Sequence, residues 1–124
     1  LSGMSTFDQV EDNLATFKEF KPLTDEEAKV IDQVASRIKA KTKNGCTGCR
    51  YCMPCPFGID IPGNFRIWND YGMLGDKETA KARYERQGDA RAEFCKKCGK
   101  CERVCPQAIK IREDLQALVR DINE

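Results

Sequence analysis

Eight cysteines fall in two bursts, Cys46-Thr-Gly-Cys49-Arg-Tyr-Cys52-Met-Pro-Cys55-Pro56 and Cys95-Lys-Lys-Cys98-Gly-Lys-Cys101-Glu-Arg-Val-Cys105-Pro106, in a chain without histidine. Three thiolates at i, i+3 and i+6 on a tightly wound loop can wrap three corners of a compact metal cluster. A fourth must arrive from elsewhere, and a proline behind it turns the chain away and removes a backbone donor that would need a partner. The second burst has the C-x2-C-x2-C-x3-C-P spacing that binds cubane iron–sulfur clusters, and the first has one residue fewer before its fourth cysteine. The pattern implies two clusters and, through them, the movement of electrons.

In two-cluster proteins with this spacing the fourth cysteine serves the other cluster. That assigns Cys46, Cys49, Cys52 and Cys105 to one cluster and Cys95, Cys98, Cys101 and Cys55 to the other. Uncrossed ligation is the rival, because the shortened step before Cys55 can alter the local geometry. Gly48 and Gly99, between ligands, can bring backbone close to a cluster and reach φ > 0, as can Gly45 unless it only ends a helix. Zinc also takes four thiolates, but zinc ribbons separate two C-x2-C pairs rather than crowding three cysteines into seven residues. A disulfide framework fits poorly, since cysteines three apart are poor partners and the chain is rich in helical patterning.

Composition narrows the remaining classes. With 124 residues the chain has room for a modest core, so metal must help to hold it together. The 21 Lys and Arg against 20 Asp and Glu give no general attraction to nucleic acid or an anionic membrane. No apolar run is long enough to span a bilayer, and the first residues do not resemble a signal peptide, which points to the cytoplasm. The start at Leu1-Ser2-Gly3-Met4 reads as a fragment or a tag remnant.

The elements that would position the cysteines are helices. A first is expected over residues 5–20, capped by Ser5 and carrying Phe7, Val10, Leu14 and Phe17. A second opens with the capping box Thr24-Asp-Glu-Glu27, carries Ala28, Ile31, Val34, Ala35 and Ile38, and stops at Asn44-Gly45. Pro62 suits the first turn of a third, bearing Phe65, Ile67, Trp68 and Tyr71 and broken by Gly72 and Gly75. A short charged helix over 76–87, a turn near Asp89–Phe94 and a last helix from Arg112 to Ile122 with Leu115, Leu118, Val119 and Ile122 complete an all-α chain. Cys46, Cys49 and Cys52 recur 49 residues on, and Cys55-Pro-Phe-Gly-Ile59-Asp-Ile61…Phe65 matches Cys105-Pro-Gln-Ala-Ile109-Lys-Ile111…Leu115 at an offset of 50. Two pseudo-symmetric loop-and-helix units follow from that repeat.

Around the bursts, Ile59, Ile61, Ile109 and Ile111 are placed to shield the clusters from water, and Tyr51, Phe57, Trp68 and Tyr71 read as aromatic core rather than electron relays. Lys96, Lys97, Lys100 and Arg103 put positive charge around the second burst, whereas the first has only Arg50. That is either a solvated loop or a docking place for a redox partner protein.

From Cys46 to Phe65, and again over the second burst to Ile111, the chain resembles the C-terminal ferredoxin-like region of bacterial and archaeal iron–sulfur aldo/keto reductases. The likeness covers most of residues 24–121. It implies an α-helical ferredoxin-like domain with two [4Fe–4S] clusters at 23–124, and makes residues 1–22 the tail of a preceding barrel. Ser2-Gly3-Met4-Ser5 with Gln9-Val-Glu-Asp-Asn13-Leu14 is similar to the last strand-to-helix unit of such a barrel. In that family an acidic-Asn pair here helps hold the adenosine end of NADP, which falls on Asp12 and Asn13. Gln9 stands where the family often has an arginine for the 2′-phosphate, so the parent cofactor is NADP or NAD. The resemblance makes this chain's own barrel its partner and the parent an oxidoreductase, with the clusters as relay or as a redox-silent brace. This chain alone, lacking the barrel's catalytic groups, is expected not to reduce a carbonyl.

Overall fold

Regular structure in the computed structural model, which describes residues 3–124, is helical throughout, with no strand among the described residues. The elements are α1 (Phe7–Lys18), α2 (Asp25–Lys41), α3 (Ile61–Leu74), α4 (Lys77–Glu85), two 3-10 turns (Gly88–Ala90 and Ala92–Phe94), α5 (Lys100–Arg103) and α6 (Ile111–Asn123). The chain divides into two units, one ending at Ala35 and the other Ser36–Glu124. The strand end that the resemblance places at Ser2 lies outside the described residues.

In the first unit the N-cap of α1 is Thr6 rather than Ser5, and Gln9 Oε1 accepts from the amides of both, at 3.3 and 2.6 Å. One of the helix's orphan donors, the Thr6 amide, is thereby met by a side chain. The box at the start of α2 forms as its sequence demands: Glu27 Oε2 accepts from Thr24 N at 2.8 Å, and Glu27 N donates to Thr24 Oγ1 at 3.3 Å. The apolar stripes have the helical period, yet Phe7, Leu14 and Phe17 of α1 and Ile31 and Val34 of α2 are exposed.

The second unit holds the core. Ile59, Ile61, Phe65, Ile67 and Trp68 on or before α3 meet Ile111, Leu115, Leu118 and Ile122 of α6, with Ala80 and Tyr84 of α4 and Ala92 closing the side. Burying a large aliphatic or aromatic side chain of this kind contributes roughly 1.5–3 kcal/mol each. Pro62 lies in the first turn of α3, where its missing N–H costs nothing, and Gly75 closes the helix at φ 74° with its N–H on Tyr71 O.

Gly72 does not break α3. It sits inside the helix because the backbone carbonyl of Lys41 passes where a Cβ would stand. α2 ends at Lys41, ahead of Asn44, and Asn44 proves to be a buried hydrogen-bonding residue rather than a helix stop. Among the aromatics, Trp68 is core, whereas Tyr51 and Phe57, on the loop of the first burst, are 70 % and 48 % exposed.

Candidate metal centre

The two cysteine loops repeat each other in backbone as well as sequence. Gly48 and Arg50 adopt φ 71° and 66°, and the equivalent Lys97 and Gly99 adopt 55° and 74°. Gly58 and Ala108, fifty positions apart, follow at 79° and 50°. Each loop thus needs the same three left-handed residues, and only some of them are glycine. Ordinary side chains in this region are uncommon, so a shared geometric demand has been met at Arg50, Lys97 and Ala108 despite the steric cost. The proline turns match too, with Gly58 N on Cys55 O at 3.0 Å and Ala108 N on Cys105 O at 3.1 Å. The Met53–Pro54 peptide is cis.

These loops gather the thiols around two concavities. One is lined by Cys52, Cys55, Cys95, Cys98 and Cys101, the other by Cys46, Cys49, Cys52 and Cys105, so that Cys52 borders both. The shortened step before Cys55 still leaves a concavity at each burst. The apolar walls interchange in the same way. Ile59, which follows Cys55, lines the concavity of the second burst, and Ile109, which follows Cys105, lines that of the first, while Ile61 borders both.

The donor set fits iron–sulfur clusters. All ligating candidates are thiols, five at one concavity and four at the other because Cys52 lines both, and no three cysteine or carboxylate groups among the described residues are close enough together to hold a single ion. A body with several metal corners, each taking one thiolate, matches that wider arrangement. Burial, followed by the charges of Cys46, Cys105 and Cys49, raises the Cys52 thiol, which identifies its electrostatic neighbours as the members of one concavity. Burial, with Glu102 next, pushes Cys101 up to about 11. Both thiols resist ionisation on their own, and a cluster held by them would supply the positive charge that keeps them deprotonated.

Hydrogen bonds set the loops in place. Lys97 N, directed by its left-handed backbone, donates to Cys95 Sγ at 3.4 Å, a contact that lowers electron density on a ligand sulfur. Cys46 N donates to Asn44 Oδ1 at 2.8 Å, while Asn44 exchanges bonds with Asn69 and its Nδ2 donates to Asp114 Oδ2. On the other side, fully buried Asn64 accepts from Ala92 N at 3.0 Å and donates to Ala90 O at 2.9 Å, fixing the segment before Cys95. Glu102 accepts from Arg112 N at 2.8 Å and pairs with its guanidinium at 2.7 Å, fastening α5 to the start of α6. Asn64, Asp114 and Glu102 did not stand out in the sequence, and Asn44 did so only as a helix stop. Only aligning the two halves through their gap brings Asn64 opposite Asp114.

A family model for a 4Fe-4S dicluster domain matches residues 45–110, a span containing every cysteine. The chain belongs to the 4Fe-4S dicluster domain family. No curated protein and no solved structure matches it. The dicluster domain is all-α and ferredoxin-like, built as two loop-and-helix halves, and is an iron–sulfur electron-transfer module. No helix among the described residues is long and apolar enough to cross a membrane.

The remaining candidates lie on α1. Asp12 is exposed, and its carbonyl accepts from Thr16 Oγ1 at 3.0 Å. Asn13 turns its amide back on Gln9 O at 2.7 Å.

Proposed function

We propose that the chain binds two [4Fe–4S] clusters with crossed ligation and serves as a one-electron relay within an aldo/keto reductase-like oxidoreductase. Cys46, Cys49, Cys52 and Cys105 hold one cluster; Cys95, Cys98, Cys101 and Cys55 hold the other. The observation that carries this reading is that each concavity gathers the first three cysteines of one burst with the fourth of the other, Cys52 lining both, and that the apolar walls interchange in the same sense. A bound [4Fe–4S] cluster takes up and gives back one electron. The chain's own residues fix the iron through thiolates, direct the Lys97 amide at Cys95 Sγ, and keep water from the inner face with Ile59, Ile61, Ile109 and Ile111.

Parentage rests on the sequence likeness from Cys46 to Phe65 and from Ser2 to Leu14, where Asp12 and Asn13 of α1 would contribute to a site for NADP or NAD completed by a barrel. The second reading, redox-silent clusters that brace the fold, is favoured by one observation. Six of the eight cysteines, Cys46, Cys52, Cys55, Cys95, Cys101 and Cys105, pack against the hydrophobic core.

Anaerobic purification with iron and sulfide analysis, followed by reductive titration under electron paramagnetic resonance, decides between them. About four irons and four sulfides per cluster are expected, with signals appearing on reduction. Full iron content without any signal change at accessible potentials leaves the bracing role. Zinc in place of iron, with no sulfide, sinks both.

A further inference from the structure

Cys49 and Cys98, the middle ligands of the two bursts, are both exposed, so burial gives neither concavity the easier access to solvent. Charge separates them. At the first burst Arg50 faces Asp60 at 3.9 Å, and the neighbouring groove mixes Arg50 and Arg66 with Asp60 and Asp70. At the second, Lys96, Lys97, Lys100 and Arg103 are exposed and make no ion pair among the described residues. The carboxylate inside that burst, Glu102, is turned away to Arg112 at 2.7 Å and so leaves their charge uncompensated. Pro56 and the half-exposed ring of Phe57 come from the other half of the repeat and line the same concavity as Cys98, Lys96, Lys97 and Lys100. Apolar side chains and an uncompensated cationic rim beside an exposed ligand are the composition of a small transient protein interface.

We propose that this rim is the docking surface for a one-electron carrier protein that surrounds its own redox centre with carboxylates. The inference rests on the cluster reading above. The docked carrier passes one electron toward the iron held by Cys98; the carrier is oxidised by one, the cluster reduced by one, no bond is made or broken, and no proton is required. The lysines steer the approach and hold the carrier's acidic face, and Phe57 and Pro56 offer it apolar contact. Long-range attraction of this kind raises encounter rates by roughly 10–1,000-fold at low salt and is lost as salt screens it.

The test uses the whole chain with iron loaded. The probe is a strongly acidic plant-type [2Fe–2S] ferredoxin, with a basic c-type cytochrome as counter-probe. Transfer rates are followed by stopped flow, and dissociation constants by fluorescence anisotropy of the labelled carrier. Lys96→Glu/Lys100→Glu/Arg103→Glu is compared with Lys29→Glu/Lys81→Glu/Arg86→Glu, which makes the same charge change at exposed sites elsewhere. Lys97 is left in place because its backbone is left-handed and its amide engages Cys95. The rim variant should lose about tenfold or more in rate and affinity for the acidic probe, and lose the wild-type salt dependence. The control should stay within about twofold.

Equal losses in both variants, faster reaction with the basic cytochrome, or rim-dependent binding of a DNA duplex without carrier binding would each overturn the proposal. Missing iron in the wild type is the separate failure of the cluster reading. If the rim variant itself loads less iron, Arg103→Glu alone and Lys100→Gln alone carry the comparison, and normal binding by both sinks the proposal.

Discussion

Asn64 and Asp114 occupy the same place in the two halves of the repeat, and each reaches across to secure the approach to the opposite cysteine burst. Both lie in the first turn of a helix, with their amides on the carbonyl four residues back, Asp60 and Lys110, at 2.9 Å. Asn64 on α3 holds Ala90 and Ala92, just before Cys95; Asp114 on α6 holds Asn44, whose Oδ1 holds the amide of Cys46. The helices are therefore crossed with respect to the loops they stabilise, just as the concavities collect their fourth thiols.

The two positions are not interchangeable. In Asn64→Asp a carboxylate oxygen replaces the Nδ2 that now donates to the carbonyls of Asp60 and Ala90, setting buried acceptors against each other. The expected cost is about 1–3 kcal/mol or more for the unmet groups. Thermal unfolding under anaerobic conditions should show that loss, with the Cys95 side losing iron first. Asp114→Asn keeps an acceptor for Asn44 and should cost less. Equal destabilisation by both changes would contradict this account.

Crossed ligation has a sharp signature in double substitutions. Cys55→Ser/Cys95→Ser strikes one cluster if the pairing is crossed and two if it is not; Cys95→Ser/Cys105→Ser reverses the expectation. The first variant should retain about four irons with one set of resonance signals, and the second should retain far fewer. Iron analysis on paired anaerobic preparations reads the difference directly, and the opposite ranking would establish uncrossed pairing.

Chemistry-bearing residues were legible because cluster ligation needs fixed spacings, and the helices that carry them because caps and periods are local. The box at Thr24–Glu27, Pro62, Gly75 and the α6 stripe all say where a helix starts, stops or faces the core. What escaped was non-local. Asn44, Asn64 and Asp114 are single polar residues whose meaning lies in partners up to 70 positions away. The left-handed Arg50, Lys97 and Ala108 carry no glycine to announce them. Gly72 was misleading because the constraint came from Lys41 of another element rather than from its own helix.

That constraint reverses an ordinary expectation. Within a helix, Gly→Ala normally adds about 0.5–1 kcal/mol of stability. Gly72→Ala should instead destabilise, since the Lys41 carbonyl would have to move, and Gly75→Ala should cost about 1 kcal/mol through its φ of 74°. Chemical denaturation of the two variants checks both signs. A stabilised Gly72→Ala would mean that the α2–α3 contact yields freely.

Asp121 on α6 gives the fold a pH dependence that can be isolated. Burial raises its carboxyl, but hydrogen bonds from Trp68 Nε1 at 2.9 Å and Lys43 Nζ at 3.0 Å outweigh it and hold the pKa below the ordinary 3.8. A folded pKa below the unfolded one means that the unfolded chain takes up protons first. The stabilisation is therefore complete above the ordinary value and is lost as pH falls through the lower folded one. Because Trp68 is the sole tryptophan, its fluorescence reports at the contact itself. In an anaerobic acid titration Asp121→Asn should begin less stable at neutral pH and lose less stability below pH ~4 than the parent. Iron content measured in parallel separates this transition from acid release of the clusters, and identical acid profiles for the two proteins would show that the Trp68–Asp121–Lys43 linkage does not couple protonation to folding.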